Sequence, residues 1–259
     1  MRGRDEFISY HQLFDNDIYQ AVEIFYPYNQ SFKQLEQYMH SVYELQTKYP
    51  NLEMVLHLPH GLYNGLCLDE HLNSGSFEIM VAAARFAATF KIKKLTLHLG
   101  SVDSNVDRKF YIDKVIPILQ KLCDIVQVNN QVLMIENMPT NHELGYSPDE
   151  LLTIIKGVNR PNIKFIYDTG HAHVSEYDDL SYLYVLKDYL YHIHYSDNDG
   201  SRDAHQGFGT GTIDFKQILR VLKAINYQEL NCMEIIYHTT LDLIKNASDF
   251  DCIGEEHEK

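Results

Sequence analysis

The sequence predicts an α/β fold: a single (β/α)8 barrel of parallel strands, with a metal site at the C-terminal rim. Three observations predict it. Short apolar, β-branched or aromatic runs alternate with longer segments of helical period. The 259 residues are 45% hydrophobic, enough for one large core, and no Pro- or Ser-rich linker divides them, so residues 1–259 read as one domain. Histidines and carboxylates recur at the ends of successive strand-like runs.

The expected strands are "EFISY" (6–10), "AVEIFY" (21–26), "EMVLHL" (53–58), "KLTLHL" (94–99), "VLMIE" (132–136), "IKFIYD" (163–168), "LYHIHY" (190–195) and "LNCMEII" (230–236). Helical patterns lie near 32–48, 75–90, 107–129, 148–157, 178–188, 214–224 and 239–250. Ser74 and the Ser147-Pro148 pair precede two of them, "PDE" supplies acid to a first turn, and Asp214 suits the cap of another. Eight alternating strands and helices read as a closed parallel barrel. A doubly wound open sheet would want a glycine-rich first turn, and "ISYHQLFDND" carries no GxGxxG.

Composition excludes several classes. The formal net charge is −14, from 36 acidic against 22 basic residues, which argues against a coat for nucleic acid or anionic membrane. No apolar run approaches the roughly 20 residues that span a bilayer. The start "MRGRDEFISY" lacks the apolar stretch of a secretory signal. Cys67, Cys123, Cys232 and Cys252 are scattered without CxxC spacing, as expected of reduced, mostly buried thiols in a cytoplasmic protein.

The strand ends carry the chemistry. His60 follows the 53–58 run, His98 and Glu136 end the next two, and Asp168 ends the fourth with His171 three residues on. His194 closes the 190–195 run before a long loop with Asp203 and His205, and Glu234 lies near the end of the last run. Six successive strands thus each deliver a carboxylate or imidazole to the rim where barrel enzymes build active sites. Imidazole and carboxylate suit zinc, manganese and related divalent ions, one to three of them here, with a carboxylate able to bridge two. A lone strand-end histidine is more often hydrogen-bonded than ligating. His57 and His192 read that way, Glu23 and Glu143 read as isolated paired acids, and Asp203 with His205 can equally be solvated loop.

These residues sit in "LPHGLY", "LTLHLGS", "LMIENMP", "IYDTGHAH", "HIHYSDNDGSRDAHQGFGTGTIDF" and "CMEII". Together these stretches resemble the xylose-isomerase-like TIM-barrel superfamily, which includes sugar isomerases, sugar epimerases and endonuclease IV, from residue 53 to 236. The resemblance implies that Glu136, Asp168, His194 and Glu234 form the metal site of the sugar branches, with Glu136 and Glu234 catalytic and His171 and His60 contacting substrate. It also implies that His60, His98 and His171 match further ligands of the endonuclease IV site, with Asp203 and His205 as third-metal ligands. The chain departs from endonuclease IV in two loops: "YHQLFDND" replaces a glycine-rich segment, and "YPYNQSFKQ" lacks the arginines of a DNA-penetrating loop. Tyr63 matches a tyrosine of the DNA-facing loop.

Two functions are therefore expected. The first is a metal-dependent isomerase or epimerase of a small-molecule sugar or sugar phosphate. The alternative is a phosphoester hydrolase with nucleic acid as partner. The sequence leaves the oligomeric state open.

Overall fold

The computed structural model describes residues 11–61, 66, 70–103, 105–237 and 239–255. Among the described residues, seven parallel strands follow one another in space in chain order: β1 (Ala21–Phe25), β2 (Glu53–His57), β3 (Lys94–Leu97), β4 (Val132–Glu136), β5 (Ile163–Asp168), β6 (Leu190–Tyr195) and β7 (Leu230–Met233). Between and around them run α1 (His11–Asp15), α2 (Phe32–Lys48), α3 (Glu70–Thr89), α4 (Arg108–Gln127), α5 (Pro148–Val158), α6 (Thr169–Val174), α7 (Ser181–Leu186), α8 (Phe215–Ala224) and α9 (Thr240–Glu255). The sheet curls into a nearly closed barrel, with β1 lying against β7. The expected strand at 6–10 lies outside the described residues.

Side-chain alternation along each strand divides the core. Leu56, Leu95, Leu97, Leu133, Ile135, Phe165, Tyr167, Ile193 and Tyr195 are buried in the main core. Residues of the other parity form the barrel interior: Val55, Met134 and Ile166 make a small apolar layer. At the N-terminal mouth, buried Lys94 closes the interior through ion pairs to Glu53 (3.0 Å) and Glu229 (3.3 Å). Two residues above the apolar layer, the same parity brings up His57, Glu136 and Asp168.

The register aligns these ends. Asp168 is level with His194, and His194 with Cys232. Helix caps set where each rim loop ends. Ser31 forms a capping box with Gln34 on α2, Ser147 accepts from Glu150 N on α5, and Asp214 accepts from Gln217 N on α8. The helix expected to start after Ser74 begins instead at Glu70 and runs through that position; neighbouring structure overrides a local start signal. Four strands also stop earlier than expected: β1 and β2 by one residue, β3 at Leu97 and β7 at Met233. His98 and Glu234 therefore stand just past the ladder, although Glu234 N still reaches Tyr195 O at 2.9 Å. Of the described cysteines, Cys123 is buried, Cys232 half-buried and Cys252 exposed, so burial of the thiols is only partial.

Candidate metal centre

Among the described residues four groups of metal-capable side chains form: Glu23, His192, His194 and Cys232 make one, and three others meet at the C-terminal mouth. Glu136, Asp168, His194 and Glu234 each offer a ligand atom, all within 4.8 Å of one another. His57, His98 and Glu136 form a second group by the same measure, and His171, Asp203 and His205 a third. Glu136 belongs to two of them. Its Oε1 lies 3.2 Å from His194 Nδ1 and 3.4 Å from His171 Nδ1, and its Oε2 lies 3.0 Å from His98 Nε2. Glu234 Oε2 stands 2.9 Å from the same His194 nitrogen.

Local structure fixes each donor. Asp168 is the last residue of β5 and the N-cap of α6. Its Oδ1 accepts from His171 N at 2.6 Å, which leaves Oδ2 buried with no hydrogen-bond partner. The same turn of α6 presents His171 beside it. Asn137 ties the ends of β4 and β5 together: it accepts from Asp168 N at 2.8 Å, donates to Asp168 O at 2.9 Å, and its own carbonyl lies 2.8 Å from His171 Nδ1. A carbonyl only accepts, so His171 Nδ1 carries the hydrogen and Nε2 faces Asp203 Oδ2 at 3.3 Å. His205 is built alike, with Nδ1 on Glu234 O at 3.0 Å and Nε2 on Asp203 Oδ2 at 2.9 Å. Asp203 Oδ1 is a second buried carboxylate oxygen without a hydrogen-bond partner.

The loop 196–214 is pinned. Asp197 and Gln206 form an antiparallel bridge with bonds of 2.8 and 2.9 Å, and Asp197 also accepts from Gly211 N at 2.9 Å. A Cβ on Gly211 would collide with the Asn198 carbonyl, and Gly200 turns with φ +81°. His205 itself holds φ 44°, a conformation rare for a side-chain-bearing residue and often found at functional sites.

Electrostatics follow from three carboxylates around few histidines. Burial pushes Glu136 up, but His194 and His98 outweigh it and hold the carboxyl well below its usual range. Burial, together with the charges of Glu136 and Glu234, lifts Asp168 to about 6. Burial raises Glu234 too, yet His194 draws it down to about 2. Burial disfavours charge on His194, His171 and His205, but their carboxylates win. His194 and His171 lie well above the ordinary value, and His205 reaches about 9 through Asp203 and Glu234. Asp203 is depressed against its burial by His171 and His205. Two orphaned carboxylate oxygens in oxygen-rich, histidine-containing groups fit divalent cations, which would satisfy both and relieve the carboxylate repulsion.

Most of the expected residues converge here. His60 stands one step out, its ring 5.5 Å from that of His98, whereas His57 joins His98 and Glu136. His57 Nδ1 lies 2.8 Å from Leu58 O, which turns Nε2 towards the mouth. Tyr63 lies outside the described residues. Glu143 accepts from Thr140 in its own turn, apart from the donors. Sequence reasoning passes over Asn137 and undervalues Glu23, whose Oε2 lies 2.9 Å from His194 Nε2. A cavity of about 440 Å3 opens beside the donors, lined by Phe25, His57, His205, Glu234, Ile236 and Tyr237 among others. That is within the roughly 300–1,000 Å3 of small-molecule sites.

Residues 18–250 match the family described as xylose isomerase-like TIM barrel. The chain belongs to that family. This xylose isomerase-like barrel superposes on a solved D-tagatose 3-epimerase-like protein with a TM-score of 0.81, at 24% identity over 95% of this chain and 92% of that one. An uncharacterised protein of Methanocaldococcus jannaschii is 27% identical over 198 residues, which are 74% of this chain and 67% of that protein. A probable endonuclease 4 of Mycoplasmopsis pulmonis is 30% identical over 145 residues; the match spans 51% of the chain and 52% of that relative, about half of each. Among the described residues, no helix is long and apolar enough to cross a membrane.

Proposed function

We propose that this protein is a divalent-metal-dependent isomerase or epimerase of a small sugar. The observation that carries the reading is the placement of Glu136 and Glu234 on one nitrogen of His194, at 3.2 and 2.9 Å. Glu136, Asp168, His194 and Glu234 would hold the ion, zinc or manganese by donor type. When bound, the ion supplies Lewis-acid polarisation of neighbouring substrate oxygens. The chain's own residues do the rest. One of the two glutamates takes a proton from the carbon beside the substrate carbonyl, and the other returns a proton to the opposite face or to the neighbouring atom. Glu136 is fully buried while the Glu234 side chain is 28% exposed, so Glu234 faces the entering substrate. His171 and His60 flank that path as substrate contacts.

The charge of the rim supports a small, neutral substrate. The segments that leave the C-terminal ends of the seven strands (26–31, 58–69, 98–107, 137–147, 169–180, 196–214 and 234–239) contain a single basic residue, Arg202. They contain Asp103, Asp107, Asp178, Asp179 and Asp199 besides the donors. A polyanionic duplex wants many phosphate contacts from Lys and Arg. The nearby Arg108 is engaged with Glu150 at 2.6 and 2.8 Å.

A metal-dependent phosphoester hydrolase is the second reading, favoured by the His171–Asp203–His205 group with its orphaned Asp203 oxygen. Two assays on metal-loaded protein separate the readings. One follows proton exchange at carbon across a panel of sugars and sugar phosphates, and the other follows cleavage of an abasic-site duplex. Exchange on a sugar is expected. Cleavage that depends on Asp203 and His205, with exchange on none of the sugars, would replace the first reading with the second.

A further inference from the structure

The quartet contains one imidazole, so its value as a ligand set depends on which nitrogen of His194 faces the carboxylates. Glu23 stands on β1, with its side chain 7% exposed inside the barrel. Its Oε2 lies 2.9 Å from His194 Nε2 and 3.1 Å from His192 Nε2, and its Oε1 accepts the Thr96 hydroxyl at 2.6 Å. Three strands therefore fix this carboxylate: β1 carries it, β3 holds one oxygen and β6 the other. A carboxylate accepts, so with an ion at the quartet the single hydrogen of His194 belongs on Nε2, against Glu23. The nitrogen left for the site is Nδ1, which lies 2.9 Å from Glu234, 3.2 Å from Glu136 and 4.0 Å from Asp168.

We propose that Glu23 is a positioning residue of the metal centre: it locks the ring and tautomer of His194 so that Nδ1 is the ligand presented to the quartet. The proposal rests on the metal-dependent reading of that quartet. An acid that merely needed a buried partner would be served by His192 and Thr96. The additional 2.9 Å contact goes to the one imidazole that the quartet owns. Outer partners of this kind orient ligating histidines, and their removal weakens metal binding by roughly 10–100-fold.

The test titrates the full chain with Zn2+ and compares wild type, Glu23→Gln and Thr96→Val. Glu23→Gln should weaken Zn2+ binding by about 10–100-fold. Thr96→Val, which loosens Glu23 without touching His194, should weaken it by less. Nitrogen-15 imidazole correlations of the Zn2+-loaded wild type should show His194 with a hydrogen on Nε2 and the metal on Nδ1, a signature that a purely structural role would not set. Metal on Nε2, or Glu23→Gln affinity within about twofold of wild type, would overturn the proposal. So would loss of one ion in Glu23→Gln with the quartet's ion unchanged, since that would make Glu23 a ligand in its own right with His192 and Cys232. If Glu23→Gln does not fold, Thr96→Val and the wild-type spectrum still decide. Failure of the wild type to bind Zn2+ or Mn2+ at all would instead overturn the metal reading.

Discussion

Glu136, Asp168 and His194 are 0–1% exposed and stand at the C-terminal ends of β4, β5 and β6, whereas Asp203 and His205 keep 22% and 27% of their side chains exposed and stand in the loop 196–214. The first set is held by ladder register, by the α6 cap and by Asn137. The second is held by the Asp197–Gln206 bridge and by two bonds of His205, Nδ1 to Glu234 O and its carbonyl from Ile236 N, with His205 at a positive φ. Strand-mounted donors are the more precise, and both functional readings need them. Loop-mounted donors are where the two readings part. On the proposed reading, the strand-mounted donors hold the principal ion and the loop decides whether further ions take part.

The comparison breaks most severely at Glu136, which belongs to both the quartet and the His57–His98 group. Glu136→Gln should remove metal from both and lower sugar turnover by about 10³-fold, within the usual range for loss of an acid–base group. Elemental analysis and a steady-state assay check it. Retained stoichiometry would mean that the strand-end donors are not the metal site.

Removing metal with a chelator should come next. An ion at 100 times its Kd stabilises the folded chain by about 2.7 kcal/mol. For a protein of this size that is roughly 5–10 °C in Tm, read by calorimetry with and without Mn2+ or Zn2+. Asp168→Asn should abolish that shift and Asp203→Asn should keep most of it. The reverse order would invert the ranking of the two regions.

Asp203→Asn sharpens the comparison at the level of single ions. It should leave the quartet's ion in place and change sugar turnover by less than about tenfold, since acid–base groups remain. A variant that loses every ion would make the loop, not the strands, the main anchor.

The smallest effect is one of pH on the metal-free protein. His205 is raised from 6.5 to about 9, with burial opposing and Asp203 prevailing. A histidine raised on folding contributes stability that is fully present below 6.5 and is lost as pH rises through about 9. Denaturation of metal-free wild type between these values should therefore show a falling component that His205→Asn lacks. Metal binding should release protons over the same range, because ligating nitrogens must lose them.

Much of the rim is legible in the sequence, and the reason is parity. Along a strand alternate residues share a face, so Glu136 and Asp168, each closing a strand-like run, must stand at the rim on a predictable side. Alternation of strands and helices fixes the order around the barrel, and cap signals at Ser147 and Asp214 fix where two helices begin. What only the tertiary structure decided are the meetings across the interior. Glu23 reads as an isolated acid along the chain, yet it lies against His194 at 2.9 Å although 171 positions separate them. His60 is the ligand expected from that strand end, yet His57 is the one grouped with His98 and Glu136, while the His60 ring lies 5.5 Å from that of His98. Asn137 looks like an ordinary loop residue until its amide is seen joining β4 to β5. A sequence specifies which face a side chain takes; register, strand stagger and loop closure specify whom it meets, and these depend on the packing of every other element at once.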